Sequence, residues 1–320
     1  PPPRRGTWAG GRPLHFALAG WFARPSDRGH FEAAARAYAP SATIHWIDGN
    51  DADQLGQMWA SSDIFLSLVD NIQETFGLAP VEAMAAGLPV VASDWDGYRF
   101  TIRHGQDGFL TPTLTPSAGP PSEALLRRHL ARIDTYQAYV GQAAQYTAVD
   151  VGAAAQALAE LARSPELRAR MGAASRQRVR ETFDWRQVVR GYRALFDDLA
   201  ESRRTAPAGE SKPRLNPLHG DPFADHLSFP TTTAGPDLRL SVRAGVDLAH
   251  DPALNSAVEL DSFGEAWRAP RSELAGLAAR IAERPDTRLG DLVGAFPPER
   301  RARITYGLLW LCKIGVLDWR

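Results

Sequence analysis

Between Leu14 and Ala92, short apolar runs rich in β-branched and aromatic residues alternate with stretches of helical spacing. Leu14–Ala19, Ala42–Trp46, Ile64–Leu68 and Pro89–Ala92 read as strands, and Phe31–Tyr38, Leu55–Ala60 and Val81–Ala86 as helices. This alternation predicts βαβ units with right-handed crossovers and a parallel sheet. The strand runs are nearly continuous in apolar character, as expected when helices cover both faces of the sheet. From Ser122 to about Arg203 the spacing is helical, most clearly over Val151–Ala162, Pro165–Thr182 and Trp185–Ala200. The last of these carries Val188, Val189, Tyr192, Leu195 and Leu199 on one face, and Ser164 and Asp184 stand where N-caps belong.

The ends of this α/β pattern are marked by composition. Residues 1–13 are rich in proline, glycine and arginine without periodicity, which predicts a loose N-terminal segment before a domain over 14–203. Residues 201–236 hold six prolines and three glycines, which predicts a linker over about 204–236. Residues 237–320 then read as a separate small unit. Ser272 caps a helix with Leu274, Leu277, Ala278 and Ile281 on one face, Thr287 opens a short second helix, and a third begins near Pro298 and stops at Gly315, before a strand-like Val316–Trp319. Three helices and a strand resemble a winged-helix module. Its twelve basic and twelve acidic residues cancel, and the third helix is apolar at Tyr306, Leu309 and Trp310, so packing or partner contact is expected rather than DNA binding.

Over the 320 residues, 36 basic and 37 acidic side chains leave a formal charge of -1, which provides no field to gather nucleic acid or anionic lipid. No apolar run reaches the roughly 18 residues a membrane span needs. The single cysteine, Cys312, excludes an internal disulfide and suits a reducing cytosol; within its apolar run it reads as a core thiol.

The chemistry concentrates in Gln73-Glu74-Thr75-Phe76-Gly77-Leu78-Ala79-Pro80-Val81-Glu82-Ala83-Met84-Ala85-Ala86-Gly87, which follows the strand at 64–68. Pro80 is placed to open a helix and Gly87 to close it, so Glu74–Gly77 form the loop at the strand's carboxyl end, where open α/β sheets bind ligands. Gly77 lets the backbone approach a ligand, and the helix start offers unpaired N–H groups and a positive dipole end to a phosphate. Glu82, placed in the first helical turn, directs its carboxylate to the same crevice as Glu74. Two carboxylates beside an anion site suit sugar hydroxyls on either side of a diphosphate. An acidic residue near a helix start is also an ordinary dipole complement, which is the plain structural reading of Glu82. Asp51-Ala52-Asp53 and Asp94-Trp95-Asp96 imitate a metal motif, but no histidine or further carboxylate is spaced to complete a hard-cation site, so no metal is expected.

Two glutamates with seven residues between them, set in Glu-Thr-Phe-Gly-Leu and Glu-Ala-Met-Ala-Ala-Gly-Leu-Pro-Val-Val-Ala, resemble the C-terminal half of the GT-B fold retaining glycosyltransferases, the family of sucrose synthases, glycogen synthases and bacterial mannosyl- and glucosyltransferases. The resemblance extends over roughly residues 14–200 and includes Gly105-Gln106-Asp107-Gly108-Phe109-Leu110, Met171-Gly172 and Phe183-Asp184-Trp185. It implies a Rossmann-like nucleotide-sugar (donor) binding domain over 14–203 with a helical extension. It assigns Glu74 to the transferred sugar, the Thr75, Phe76, Gly77 and Leu78 backbone to sugar and phosphates, Glu82 to the ribose, Ile47–Asn50 to the neighbourhood of the base, and Gly20 to the diphosphate. It implies a nucleotide-diphosphate sugar as substrate, no cofactor and no metal, and stabilisation of an oxocarbenium-like transition state by fixed charges.

The chain also departs from that family. The family's earlier strand ending in Gly-Arg and the Lys after it, which neutralise the diphosphate, have no counterpart, and the only lysines are Lys212 and Lys313. Arg24 and Arg28 stand as substitutes or as solvated loop residues. The family's Gly-Gly-x-Pro-Glu turn reads Asp96-Gly97-Tyr98-Arg99-Phe100. The expectation is therefore the donor-binding part of a longer hexosyltransferase, inactive alone, with an unknown saccharide, lipid-linked or small-molecule acceptor. Its location is the cytoplasm or the inner membrane face. The alternatives are a noncatalytic nucleotide-sugar-binding scaffold and a GT-B-like sugar-nucleotide epimerase.

Overall fold

The computed structural model describes residues 13–22, 24–205, 220–255 and 263–320. The expected loose start, apart from Pro13, and the linker's 206–219, with Lys212, lie outside the described residues.

The protein is a mixed α/β chain. β1 (His15–Gly20), α1 (Pro25–Tyr38) and β2 (Thr43–Asp48) form a βαβ unit whose strands run parallel, His15 beside Thr43 and Gly20 beside Asp48. α2 (Ala52–Ser61) follows, its start capped by the Asp51 carboxylate on the N–H groups of Asp53 and Gln54. β3 (Phe65–Ser67), α3 (Leu78–Ala86), β4 (Val90–Ser93), the short α4 (Tyr98–Thr101) and β5 (Gly108–Thr111) build a second parallel sheet in the order β3-β4-β5. All four expected strands therefore form, but in two sheets instead of one, since among the described residues β1 pairs only with β2 and β3 only with β4.

Burial divides along the same line. β4 is buried along its whole length, whereas no described residue before Ile72 is buried. The double-sided cover expected from the apolar strand runs is thus found at β4 and not at β1 or β2, whose sheet has only two strands and leaves their backbones and side chains half open.

β6 (Thr113–Pro116), α5 (Pro120–Leu130), α6 (Tyr136–Ala144), β7 (Ala148–Val149), α7 (Val151–Arg163), α8 (Pro165–Arg178) and α9 (Trp185–Thr205) continue the chain, with a π-helical turn at Val179–Phe183. Ser164 caps α8 as expected, its hydroxyl accepting from the Leu167 N–H at 3.1 Å.

Residues 220–236, expected as linker, are folded. α10 (Pro222–Asp225) buries Phe223, and β8 (Thr232–Ala234) runs parallel to β6 with Leu114 beside Thr232. Pro230 and Pro236 flank β8 without interrupting it, because a short edge strand tolerates proline at its ends. The last segment contains β9 (Arg239–Val242), α11 (Arg271–Glu283), β10 (Thr287–Arg288), α12 (Leu289–Gly294), α13 (Pro298–Lys313) and β11 (Leu317–Trp319), with its strands antiparallel in the order β10-β9-β11. Pro270, not Ser272, precedes the first turn of α11. Nor is this segment separate, because Leu114 and Ala148 share one buried cluster with Leu240, Leu274, Leu308, Trp310 and Leu317.

α13 accounts for that sharing. Tyr306 through Cys312 are all buried, so the helix runs between the terminal helices and the α/β part. Tyr306 stacks on Tyr146 with ring centroids 4.2 Å apart, and Lys313 pairs with Asp70 after β3. Burial also pushes the Cys312 thiol well above its usual range, which leaves it a core residue. A recognition helix needs a free face for a groove, and α13 has none in its C-terminal half. In a mobility-shift assay the protein is expected to give no salt-sensitive shift of duplex DNA; a submicromolar shift weakened by salt would contradict this packing.

Candidate functional site

The loop between β3 and α3 is organised by Asn71. Its carboxamide oxygen accepts from the N–H groups of Gln73 at 3.0 Å and Glu74 at 3.2 Å, an Asx turn that fixes where Glu74 leaves the backbone. Its carbonyl accepts from the indole N–H of buried Trp95 at 3.1 Å, which ties the loop to the end of β4. Thr75 and Phe76 are exposed, and Phe76 meets Phe183 edge-on at 5.9 Å.

Gly77 is where the chain turns into α3. Its φ of +72 is a left-handed value, and a Cβ there would lie 2.3 Å from the Tyr98 ring. The close approach expected of this glycine is therefore to Tyr98. Gly77→Ala is expected to displace the loop, cost about 1–3 kcal/mol of stability and abolish ligand binding by the loop; a melting curve read beside calorimetry checks both.

α3 begins at Leu78, so Glu82 stands in its second turn, exposed, and not in the first as the placement of Pro80 suggests. Leu78 and Ala79 at the helix start are exposed, and no side chain caps the helix there. Gly87 ends the helix in the left-handed conformation, as expected, and the Arg176 guanidinium donates to the Ala86 carbonyl at 2.7 Å.

Beneath the loop, the Tyr98 hydroxyl lies 3.1 Å from the Ser67 hydroxyl. Burial raises its pKa above the ordinary phenol value; the Ser67 bond opposes this, and the Glu74 carboxylate adds to it. Tyr98 therefore remains a neutral hydroxyl, and the nearby Glu74 carboxylate disfavours its phenolate form. The turn Asp96–Phe100, which departs from the family pattern, packs directly on the loop, since a Cβ on Gly97 would lie 1.7 Å from the Thr75 carbonyl. Residues after the expected linker fasten that turn. The Asp96 N–H donates to the Phe229 carbonyl at 3.2 Å, and Arg99 pairs with Asp94 while donating to Phe229 at 2.7 Å. Asp94 is thus engaged by a guanidinium, and among the described residues no group of three or more His, Cys, Asp or Glu gathers that could hold a metal ion.

The expected site residues fall in two places. Glu74, Thr75, Phe76, Gly77, Leu78 and Glu82 lie on the β3–α3 loop and helix. Gly20 lines a cleft of about 960 Å³ at the carboxyl ends of β1 and β2, together with Ile47, Asp48, Asn50, Arg24 and Arg28, and none of the other six lines it. Gly20 and Gly49 pack tightly there, the Gly49 N–H donating to the Gly20 carbonyl at 2.9 Å. Arg24 is tied to Asp27 at 3.2 Å and Arg28 to Glu32 at 2.9 Å, so both guanidiniums have local partners at the start of α1. Asn71, Trp95 and Tyr98, with the Ser228 and Phe229 carbonyls that accept from Arg99, support the loop and were not marked by the sequence pattern.

A strand end, an Asx-organised loop with a glutamate and a helix start without a side-chain cap together define an α/β protein with an open βα loop at the carboxyl end of a parallel strand. Residues 10–118 match the family described as Glycosyl transferases group 1. The match ends at 118, so α5–α9, within the range over which the resemblance was read, lie outside it. The chain is 33% identical over 129 residues to a phosphatidyl-myo-inositol mannosyltransferase of Mycobacterium leprae, an overlap of 40% of this chain and 25% of the relative. It is 33% identical over 76 residues to a D-inositol 3-phosphate glycosyltransferase of Rhodococcus erythropolis, 24% of this chain and 17% of the relative. The chain thus spans about a quarter or less of the length of these two relatives. Among solved structures it is similar to a sucrose-phosphate synthase of Thermosynechococcus elongatus, with 21% identity, a TM-score of 0.41, and 59% of this chain and 39% of the other covered.

Proposed function

We propose that residues 14–203 are the donor-binding part of a retaining, metal-independent GT-B glycosyltransferase that moves a hexose from a nucleoside-diphosphate sugar to an acceptor, with 237–320 as an accessory module. The observation that carries this reading is the loop at the β3 carboxyl end, where Glu74 leaves an Asx turn just before the start of α3, which no side chain caps. Such a helix start holds a diphosphate through backbone donors and the dipole end, without a cofactor or a cation. Glu74 accepts from hydroxyls of the sugar and Glu82 from those of the ribose. Fixed donors of this kind stabilise the charge that develops on a departing diphosphate and require no covalent attack. Peripheral association with the inner membrane face is compatible with the absence of any helix, among the described residues, long and apolar enough to cross a membrane.

Calorimetry on the 320-residue chain with a panel of nucleoside diphosphates and their sugars tests the proposal. The whole chain is the material, because Leu114 and Ala148 are buried against the terminal helices and a 14–203 fragment would expose them. Weak but selective binding of a sugar nucleotide over the matching monophosphate is expected. Absence of binding by every donor would remove the reading.

A further inference from the structure

The cleft of about 960 Å³ at the carboxyl ends of β1 and β2 has room for a ligand of several rings, and none of the six candidate residues on the β3–α3 loop and helix lines it. Five Phe and Trp side chains line it instead. Phe22 packs on Phe31 with ring centroids 5.6 Å apart and on Trp46 at 5.8 Å, and the Arg28 guanidinium covers the Trp46 ring at 5.8 Å. Those rings hold one another. Trp21 is 71% exposed and Phe263 is exposed as well, so these two rings are open to a ligand. Phe263 arrives from the terminal segment and is held from behind. Its carbonyl accepts from the buried Arg268 guanidinium at 3.2 Å, the Gly264 carbonyl accepts from the Tyr146 hydroxyl at 3.1 Å, and its ring abuts Gly141, where a Cβ would lie 3.0 Å away. A wall fixed in this way loses little freedom when a ligand lands on it.

The polar groups of the cleft are oriented acceptors. One carboxylate oxygen of Asp48 accepts from the Asn50 N–H at 2.9 Å and from the Asn50 carboxamide at 3.2 Å, while the Gln54 carboxamide accepts from the Asp48 N–H at 3.4 Å and donates to Asp51 at 2.7 Å. This network fixes the Asp48 carboxylate and, among the described residues, leaves its second oxygen without a donor. The lining charges cancel, Arg24 and Arg28 against Asp27 and Asp48, and both guanidiniums are already paired, Arg24 with Asp27 and Arg28 with Glu32. A phosphate therefore finds no uncommitted cation among the described lining residues, whereas a ligand rich in hydroxyl donors finds acceptors already in place.

A saccharide without charge matches both features. A pyranose ring presents a face of polarised C–H groups to the electron-rich face of an aromatic ring, and its hydroxyls donate to carboxylates and carboxamides at the edge. We propose that the cleft binds a short neutral oligosaccharide, stacked on Trp21 and Phe263 with its hydroxyls on Asp48 and Asn50. Gly20 keeps the cleft open, because a Cβ there meets nothing within 4 Å, so a larger side chain would enter the cleft without striking the protein.

Calorimetry on the 320-residue chain with mannotriose, maltotriose and cellotriose, beside uridine and guanosine, tests this. At least one trisaccharide is expected to bind, with an affinity unchanged between low and high salt because the ligand carries no charge. Trp21→Ala and Phe263→Ala are each expected to weaken that binding about tenfold or more, as loss of an aromatic anchor does, with an unchanged melting curve because both rings are exposed. Gly20→Leu is expected to abolish binding and to leave the melting curve unchanged. Failure of all three trisaccharides to bind overturns the proposal. So does saccharide binding indifferent to the three substitutions, which would lie elsewhere on the protein. A nucleoside bound more tightly than every trisaccharide, and lost in Trp21→Ala, would overturn it too and assign the cleft to a base.

Discussion

Glu82→Ala is expected to weaken binding of both the nucleoside diphosphate and the nucleotide sugar by about ten- to a hundredfold, whereas Glu74→Ala is expected to weaken the nucleotide sugar alone. Loss of a charge-assisted hydrogen bond removes about 1.5–3 kcal/mol, and each 1.4 kcal/mol is about a factor of ten. The split follows from the two positions. Glu82 is exposed in the second turn of α3, where removing it uncovers no buried partner and disturbs no cap. Glu74 leaves the backbone at an Asx turn whose bonds are made by its main chain, so its side chain is removable without unmaking the loop. A glutamate that merely complements the helix dipole would instead cost about 0.3–1 kcal/mol of stability and leave affinity alone. Position in the second turn already makes that explanation weaker than it was from the sequence, because dipole effects fade beyond the first turn. Equal nucleotide affinity in wild type and Glu82→Ala would remove Glu82 from the site.

The parts of the fold that could be read from the sequence are those set by local chemistry. The apolar runs at 64–68 and 89–92 became β3 and β4, Gly87 stopped α3 because only glycine sits easily at φ +84, and Ser164 capped α8 because its hydroxyl reaches the Leu167 N–H. What escaped was set by residues far apart in the chain. Six prolines in 201–236 disfavour regular structure locally, yet β8 needs only three residues and a free edge of β6 to form. Nothing near Thr113 announces that its N–H will donate to the Thr231 hydroxyl at 2.6 Å.

The site divides in the same way. The place of Glu74 on the loop after β3 was legible because it is set locally, whereas α3 starts at Leu78, two residues before the expected Pro80, and so carries Glu82 into its second turn. Tyr98 and Trp95 were not legible, because each reaches back to earlier residues, Trp95 from just after β4 to Asn71 and Tyr98 from the start of α4 to Ser67 and Gly77. Gly20 sits at a strand end as expected, but the register of β1 with β2 alone places it on a different cleft.

The shared core predicts the largest effect. A chain ending at Thr205 is expected to lose its cooperative thermal transition, although the predicted linker would have allowed it to fold. Truncation there strips β8 from β6, removes Asp221 from the Gly119 N–H it accepts from at 2.9 Å, and uncovers Leu114 and Ala148, both 0% exposed in the intact chain. In the intact chain Trp310→Ala gives a graded version of the same test. Trp310 is fully buried, and the buried Arg268 guanidinium stacks over its ring at 4.1 Å. Removing it is expected to cost about 3–5 kcal/mol, through the cavity and the lost cover over a buried cation. Because α13 packs on β6 and β7 as well as on α11, the destabilisation should move one calorimetric transition as a whole. Two independent transitions, with only one shifted by Trp310→Ala, or a cooperative melt of the 1–205 chain, would show that the terminal helices rest against the α/β part without holding it together.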